Sequence, residues 1–274
     1  MGSFSILNNI PALQAENNLN STQMSLNTTL QQLASGQRIN SGADDPAGLA
    51  IANGLQANIA ALNQSAQNAN DGVGALQVAD GALSQVTSLL NSAVSIATEA
   101  STGTVSSAQR DALNAEYTQI MAEIDRIGST TTFNGTSVFT ASTTSVYLSD
   151  GNSASTIGVS VGALSSAGLG LGGTTLAGAT GSAAQTALTA IDTAIGTVAS
   201  DRGTIGASVN RLQDASAVIN VQVQNLTAAE NGIMAADIPT VISNLSRQSV
   251  LAQTGMAALA QANSQEQSVL KLLQ

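Results

Sequence analysis

"LTAIDTAIGTVASDRGTIGASVNRLQDASAVINVQVQNLTAAENGI", residues 188–233, places large aliphatic side chains at Leu188, Ile191, Ile195, Val198, Ile205, Val209, Leu212, Ile219, Val223, Leu226 and Ile233. Steps of three and four put such residues on one side of a helix, and only Arg202, Ser216 and Glu230 interrupt the stripe. A helix from about 183 to 232 is roughly 75 Å long at 1.5 Å per residue. One apolar stripe on so long a helix needs partners. The expected fold is therefore mainly α, an elongated antiparallel coiled-coil-like helical bundle.

Those partners lie upstream. Leu55, Ile59, Leu62, Ala66, Ala69, Val73 and Leu76, then Leu83, Val86, Leu90 and Ala93, predict one long helix from residue 44 to about 100. After "STGTVSSAQ", Leu113, Tyr117, Ile120, Ile124 and Ile127 predict a second, ending near Gly128. Helical glycines such as Gly72, Gly74, Gly196 and Gly203 cost up to about 1 kcal/mol each, and close helix approach is the expected compensation. Residues 129–182 leave the helical period. "FNGTSVF" and "SVYLSDGNSASTIGVSV" alternate around an Asp150-Gly151 turn signal, which predicts a small outer β-hairpin element. "GALSSAGLGLGGTTLAGATGS" then reads as a Gly, Ser and Thr connector with no core of its own.

The chain ends carry weaker stripes. Ile6, Ile10 and Leu13, then Leu26, Leu30 and Leu33, step by four and three; Ile238, Ile242 and Leu245, then Ala252, Met256 and Leu259, do the same near the carboxyl end. Neither segment is apolar enough to fold alone, so the ends are expected to pair with each other and with neighbouring molecules. Between the first stripe and the next helix, "LASGQRINSGADDPAGLAIAN", residues 33–53, gathers Gly36, Gly42, Asp44, Asp45, Pro46 and Gly48. Gly36 and Gly42 are expected to release one helix, Asp44 or Asp45 to cap the next, and Pro46 to start it.

Composition removes whole classes of function. Apolar residues are 43% of 274, enough for a core, but aromatics are 2% and charged residues 9%. Seven basic against seventeen acidic residues leave little to neutralise a phosphate backbone or grip an anionic bilayer, so neither nucleic acid nor membrane is an expected partner. Without His or Cys the usual zinc sites and the serine–histidine mechanisms are excluded. Asp44 and Asp45 are adjacent, so they do not share a helix face for acid and base work. No cofactor, metal or catalytic set is expected, and a soluble enzyme is disfavoured for that reason. "GLGLGG", residues 168–173, fits Gly-x-Gly-x-x-Gly, but "TTLAGATGS" follows instead of a helix, so a connector is expected rather than a nucleotide site. "MGSFSILNNIPALQ" has neither a basic region nor an apolar run of signal-peptide length, so if the chain leaves the cell, the expected route is one that reads no cleavable signal.

Four blocks resemble bacterial flagellin, in that family's order: "NNLNSTQMSLNTTLQQLASGQRINSGADDPAGLAIAN", "EIDRIGSTTTFNG", "GASVNRLQ" and "SVLAQTGMAALAQANSQEQSVLKLLQ". The resemblance covers almost the entire chain and implies a short form lacking the large outer variable domains. It implies an inner-tube helix and spoke in 1–43, a rod in 44–128 and 183–235, the outer hairpin and connector in 129–182, and a second inner-tube helix in 236–274. The terminal stripes, from Ile6 to Leu259, become the assembly surface; Arg38, Asn40, Asp44, Asp45, Arg126, Arg211 and Arg247 become spoke and subunit contacts. The implied function is a secreted subunit that polymerises into the extracellular filament for swimming. The implied partners are other subunits, the flagellar cap, hook-junction proteins, an export chaperone and the type III export apparatus. The hook–filament junction protein, which is similar at its ends but differs in the middle, is the alternative.

Two stretches depart from the family. Many flagellins carry a basic patch on the first rod helix that Toll-like receptor 5 recognises; here "LLNSAVSIATEA", residues 89–100, has Ser92 and Val94 at the two arginine positions and Ser95 at the glutamate. Serine lacks the guanidinium fork, so weak or absent receptor activation is expected, although Ile96 and Glu116 fit the remaining surface. In "GIMAADIPTVISNLSR", residues 232–247, Gly232 and Met234 stand where arginines are usual and Ala235 where an acid is. Pro239 places a helix boundary near Asp237.

Overall fold

The computed structural model describes residues 9–140, 144–149, 154–159 and 161–272. Its helices are α1 (Ile10–Ser35), α2 (Pro46–Ser101), α3 (Ser107–Thr130), α4 (Ser182–Met234) and α5 (Ile238–Leu272). Between α3 and α4 lie β1 (Thr132–Phe133), β2 (Thr136–Ser137), β3 (Thr144–Ser149) and β4 (Ala154–Val159). The chain is mainly α, as the stripes require. It divides into two units, Met1–Ala57 with Asn225–Gln274, and Asn58–Gln224; α2 and α4 contribute to both.

In Asn58–Gln224, α2 buries Leu62, Ser65, Ala69, Leu76, Ala79, Leu83, Val86, Leu90, Ala93, Ala97 and Ala100, and α4 buries Ala184, Ala187, Ile191, Ala194, Val198, Ile205, Ser208, Leu212 and Ile219. The steps are threes and fours, as expected, but the occupants are partly different. Ala66, Val73, Leu188, Ile195 and Val209 are half-buried beside the seam, while alanines take many of its deepest positions. Small seam residues let backbones approach, since interaxial distance follows the side chains at the contact. At Gly72 a Cβ would stand 3.1 Å from Leu212 Cδ1 and 2.8 Å from Val146 Cγ2, whereas at Gly196 and Gly203 it would meet nothing within 4 Å, so the expected compensation by close approach does not extend to those two. At the flank, Arg202 Nε donates to Asp80 Oδ1 at 2.8 Å, and that hydrogen bond holds the Asp80 carboxyl below the ordinary aspartate range.

α3 opens on a capping box, in which the Ser106 N–H donates to Gln109 Oε1 at 2.9 Å and the Gln109 N–H donates to Ser106 Oγ at 3.4 Å. Its buried face, Arg110, Tyr117, Met121, Ile124 and Gly128, is mixed in polarity because it holds the connector. The connector has no core of its own and borrows that of α3. Val161, Leu164, Leu169, Leu171 and Leu176 are buried, and polar groups of α3 fix the backbone between them. Gly128 lies where any Cβ would collide with the Leu164 carbonyl. Asp125 accepts from the Ser166 N–H at 2.6 Å, and Tyr117 Oη is 2.6 Å from Thr174 Oγ1. Asn114 Oδ1 accepts from the Leu176 N–H at 2.8 Å, and Arg110 Nη1 donates to Ala179 O at 3.2 Å. The connector is thus a strap, antiparallel to α3 and tied along its length.

The strands form two antiparallel pairs among the described residues. β1 and β2 turn through Asn134 and Gly135, at φ 49° and 77°, the left-handed pair that a two-residue hairpin of matching twist requires. β3 pairs with β4 from Thr144↔Val159 to Ser149↔Ala154, while the expected Asp150-Gly151 turn lies outside the described residues. Ser65 of α2 anchors this hairpin: its Oγ accepts from the Ser149 N–H at 2.9 Å and donates to Ser149 O at 2.8 Å.

Candidate assembly site and hinge

Helix α1 ends because Gly36 adopts the left-handed conformation, φ 70°, and returns its N–H to Gln32 O at 2.9 Å. Gly42 does not adopt that conformation, so the expected release of the helix belongs to Gly36 alone. The freed backbone pairs with the break between α4 and α5. Arg38 N–H donates to Met234 O at 2.7 Å and Ala236 N–H to Gly36 O at 3.0 Å, an antiparallel bridge centred on Gln37 and Ala235. The Arg38 guanidinium adds a bond to Ile233 O at 2.8 Å. Beneath it Ile39, Ala52 and Met234 form a small buried core, with Leu49 and Ile233 against it.

The adjacent aspartates divide the work that the sequence left open between them. Asp45 caps α2, accepting from the Gly48 N–H at 2.9 Å. Asp44 closes the preceding turn instead, accepting from the N–H groups of Asn40 at 3.0 Å and Ser41 at 2.9 Å and from the Ser41 hydroxyl at 3.1 Å. The Asn40 N–H foremost, then Ser41, holds the Asp44 carboxyl below the ordinary aspartate range. The break near Asp237 is built similarly: its backbone carbonyl accepts from the Val241 N–H at 2.9 Å and its carboxylate from the Thr240 hydroxyl at 2.7 Å.

The terminal helices α1 and α5 pack on each other antiparallel. Asn9 Nδ2 donates to Glu266 Oε2 at 3.0 Å, Leu19 lies against Gly255, and Thr29 Oγ1 meets Gln248 Oε1 at 2.8 Å. α1 turns Ala12, Ala15, Leu19, Thr22, Leu26, Thr29 and Leu33 inward; α5 turns in Val241, Leu245, Gln248, Ala252, Gly255, Leu259, Ala262 and Glu266. The expected assembly residues therefore fall on two faces. Leu26, Leu33, Leu245 and Leu259 are half-buried in the seam, whereas Ile10 (64% exposed), Leu13, Leu30, Ile238, Ile242 and Met256 (54%) face outward. Ile6 lies outside the described residues. Met24, Val250 and Leu251 are also exposed; they fall outside the expected triplets and only their apolar character signalled them.

The arginines separate by surroundings. Arg126 pairs with Glu123 on the exposed face of α3, Nε to Oε2 at 2.7 Å. Arg211 and Arg247 are exposed and pair with no acid among the described residues. Arg110 is buried and donates only to backbone carbonyls. Ser92, Ser95 and Glu116 are exposed. Ile96 is not on their surface: one turn after Ala93 in the buried seam, it is 9% exposed. A groove of about 480 Å³ between α2 and the hairpins is lined by Asp71, Phe133, Val138, Val146, Tyr147 and Val159 among others, with no convergent set of titratable groups.

Residues 6–144 match the family model described as the bacterial flagellin N-terminal helical region, and residues 188–273 match the C-terminal helical region. A flagellin of Halalkalibacterium halodurans is 35% identical over 271 residues, covering 98% of this chain and 99% of that protein. The flagellar filament 33 kDa core protein of Treponema phagedenis is 32% identical over 283 residues, covering 98% and 99%. The crystal structure of Bacillus cereus flagellin aligns at 32% identity with a TM-score of 0.49, covering 60% of this chain and 94% of that one.

Proposed function

The chain belongs to the bacterial flagellin family, structural subunits of the flagellar filament rather than enzymes, and we propose that it polymerises through the outward face of the α1–α5 pair. The observation that carries this reading is the row of large apolar side chains, Ile10, Leu13, Met24, Ile242, Val250 and Met256, left in solvent on two helices whose own seam is thin. Burying such residues releases about 25 cal/mol per Å² of apolar surface, which a single chain forgoes and a polymer gains. Residues 1–43 and 236–274 line the inner tube in this reading, 44–128 and 183–235 form the rod around it, and 129–182 lies outermost.

The bridge at Gln37 and Ala235 is the spoke between tube and rod, directed by Arg38, Asn40, Asp44 and Asp45. Arg211 and Arg247, unpaired within the described residues, supply contacts to neighbouring subunits, as does Arg126. In the same reading the chain is exported unfolded through the type III apparatus, and a chaperone, the cap and the hook-junction proteins meet its ends. With Ser92 and Ser95 in place of charged groups and Ile96 turned inward, activation of Toll-like receptor 5 is weak or absent. Seeded polymerisation tests the central reading: filament seeds under mild salting-out should elongate with the intact chain, as seen by electron microscopy. A chain that stays monomeric beside active seeds rejects it.

A further inference from the structure

The inward faces of α1 and α5 repeat every seven residues and are rich in Ala, Gly and Thr. A slip of one heptad, about 10 Å at 1.5 Å per residue, keeps the inward face of each helix inward while exchanging its occupants, Leu245 for Ala252 and Gln248 for Gly255 among them. One of the contacts that such a slip breaks is a polar pair across the seam. Thr29 is the buried residue of α1, 6% exposed, and its Oγ1 lies 2.8 Å from Ser25 O and 2.8 Å from the Gln248 side-chain amide oxygen. The hydroxyl has one proton to give, while an amide both donates and accepts, so the two cross-helix groups suit each other. Slipping one way sets Thr29 against Gly255 and carries Gln248 past the end of α1. Slipping the other way sets Thr29 against Val241 and gives Gln248 to Thr22, whose hydroxyl bonds Asn18 O at 2.8 Å as that of Thr29 bonds Ser25 O, so the amide trades a buried hydroxyl for a half-buried one.

We propose that the Thr29–Gln248 pair is a register-determining contact of the α1–α5 seam. This rests on the reading that α1 and α5 stay paired within each subunit of the filament. A polar pair with one partner buried in the seam costs stability relative to apolar packing and favours one alignment, because a slip in either direction separates the buried Thr29 hydroxyl from the amide and sets it against Gly255 or Val241. The competing device is the hinge bridge, which ties one end of the pair at Gln37 and Ala235. The two make opposite predictions when the polar pair is replaced.

The chain has no cysteine, so an introduced pair reports alone. Leu19 Cβ stands 3.8 Å from where a Cβ at 255 would be, the separation typical of a disulfide, so L19C/G255C reports the observed register. L19C/A262C and A12C/G255C report the slips in the two directions. Each pair is placed in the wild-type chain and in T29V/Q248L, the full chains are grown from seeds, oxidised, and run on non-reducing gels. Single chains closed on themselves migrate fast, and links between chains run as dimers. In the wild-type background only L19C/G255C should close. In T29V/Q248L a slipped reporter should rise severalfold above its wild-type level, and the exchanged pair T29Q/Q248T should return it to that level. Oxidising the soluble chain in parallel reads the register even of a variant that fails to polymerise. Slipped reporters that stay open in T29V/Q248L, or that close as much in T29Q/Q248T as in T29V/Q248L, overturn the proposal. Failure of L19C/G255C to close in wild-type filaments removes the α1–α5 reading itself, and the proposal with it.

Discussion

Asp44 and Asp45 show how far one position changes a carboxylate's task. Asp45 holds an otherwise unpaired N–H at the start of α2, so Asp45→Ala is expected to cost about 1 kcal/mol, and Asp45→Asn, which keeps an acceptor, much less. Gly48→Ala should do at least as much harm as Asp45→Ala, because its methyl would meet the Asp45 carboxylate and stand 2.9 Å from Ile39 Cδ1. Asp44 adds a pH dependence to the same melting series. Its folded-state pKa lies below the unfolded value, so the charged form is what the turn binds. That contribution is complete above the ordinary aspartate range and is lost as pH falls through the lower, folded value. The gap in Tm between wild type and Asp44→Asn should therefore be widest near neutrality and close as pH falls through and below that range. A gap that stays constant with pH would show that some other feature of Asp44 matters. At Met234, where the resemblance led to an arginine being expected, an apolar side chain 8% exposed packs with Ile39 and Ala52 in the hinge core.

Among the elements, the strap along α3 is the one whose stability rests most on a single side chain. Arg110 is 3% exposed and donates to Ala100 O at 2.9 Å, Thr102 O at 3.1 Å and Ala179 O at 3.2 Å, joining the end of α2 to the approach to α4. Arg110→Met keeps most of the stem but leaves these carbonyls short of a donor; at about 1–3 kcal/mol per stranded buried group, a loss near 3 kcal/mol is expected. Limited proteolysis should then cut within 161–180 well before the helices, whereas Arg126→Ala, which breaks only an exposed pair within one helix, should leave the pattern unchanged. Equal protection in Arg110→Met would mean that the buried leucines hold the strap without it. None of this was legible in the sequence, and the reasons are physical. Val161, Leu164, Leu169, Leu171 and Leu176 follow neither a period of two nor one of 3.6, and Arg110, Asn114 and Asp125 look like solvated helix positions until the strap covers them. The long helices were legible because their large aliphatics recur at threes and fours, yet which alanines are deepest was not, since Ala occupies both faces. The hinge was readable as a break before Pro46, but the sequence left the release shared by Gly36 and Gly42 and the cap open between Asp44 and Asp45, and the structure assigns them to Gly36 and Asp45.

For the whole molecule, the decisive contrast is in depth of burial. Among the described residues of α1 and α5 only Thr29, Val241 and Ala252 are buried, whereas Asn58–Gln224 encloses Leu76, Leu83, Leu90, Ile124, Ile191 and Leu212 at 1% exposure or less. Stabilisation follows apolar area removed from water, so the two units should not melt together. In scanning calorimetry the free chain is expected to show two transitions, the lower from Met1–Ala57 with Asn225–Gln274. Polymerisation binds the paired ends and not the unpaired ones, and stabilisation by mass action reaches about 2.7 kcal/mol when subunits exceed their dissociation constant a hundredfold. In filaments the lower transition should therefore move up by many degrees and the upper one little. Deleting Ile238–Leu272 should remove the lower transition and polymerisation together, and leave the upper transition in place. A free chain that melts in one step, or an upper transition that falls with that deletion, would show that the α1–α5 pair and the long-helix core share one cooperative unit, and that assembly does not act by ordering the ends alone.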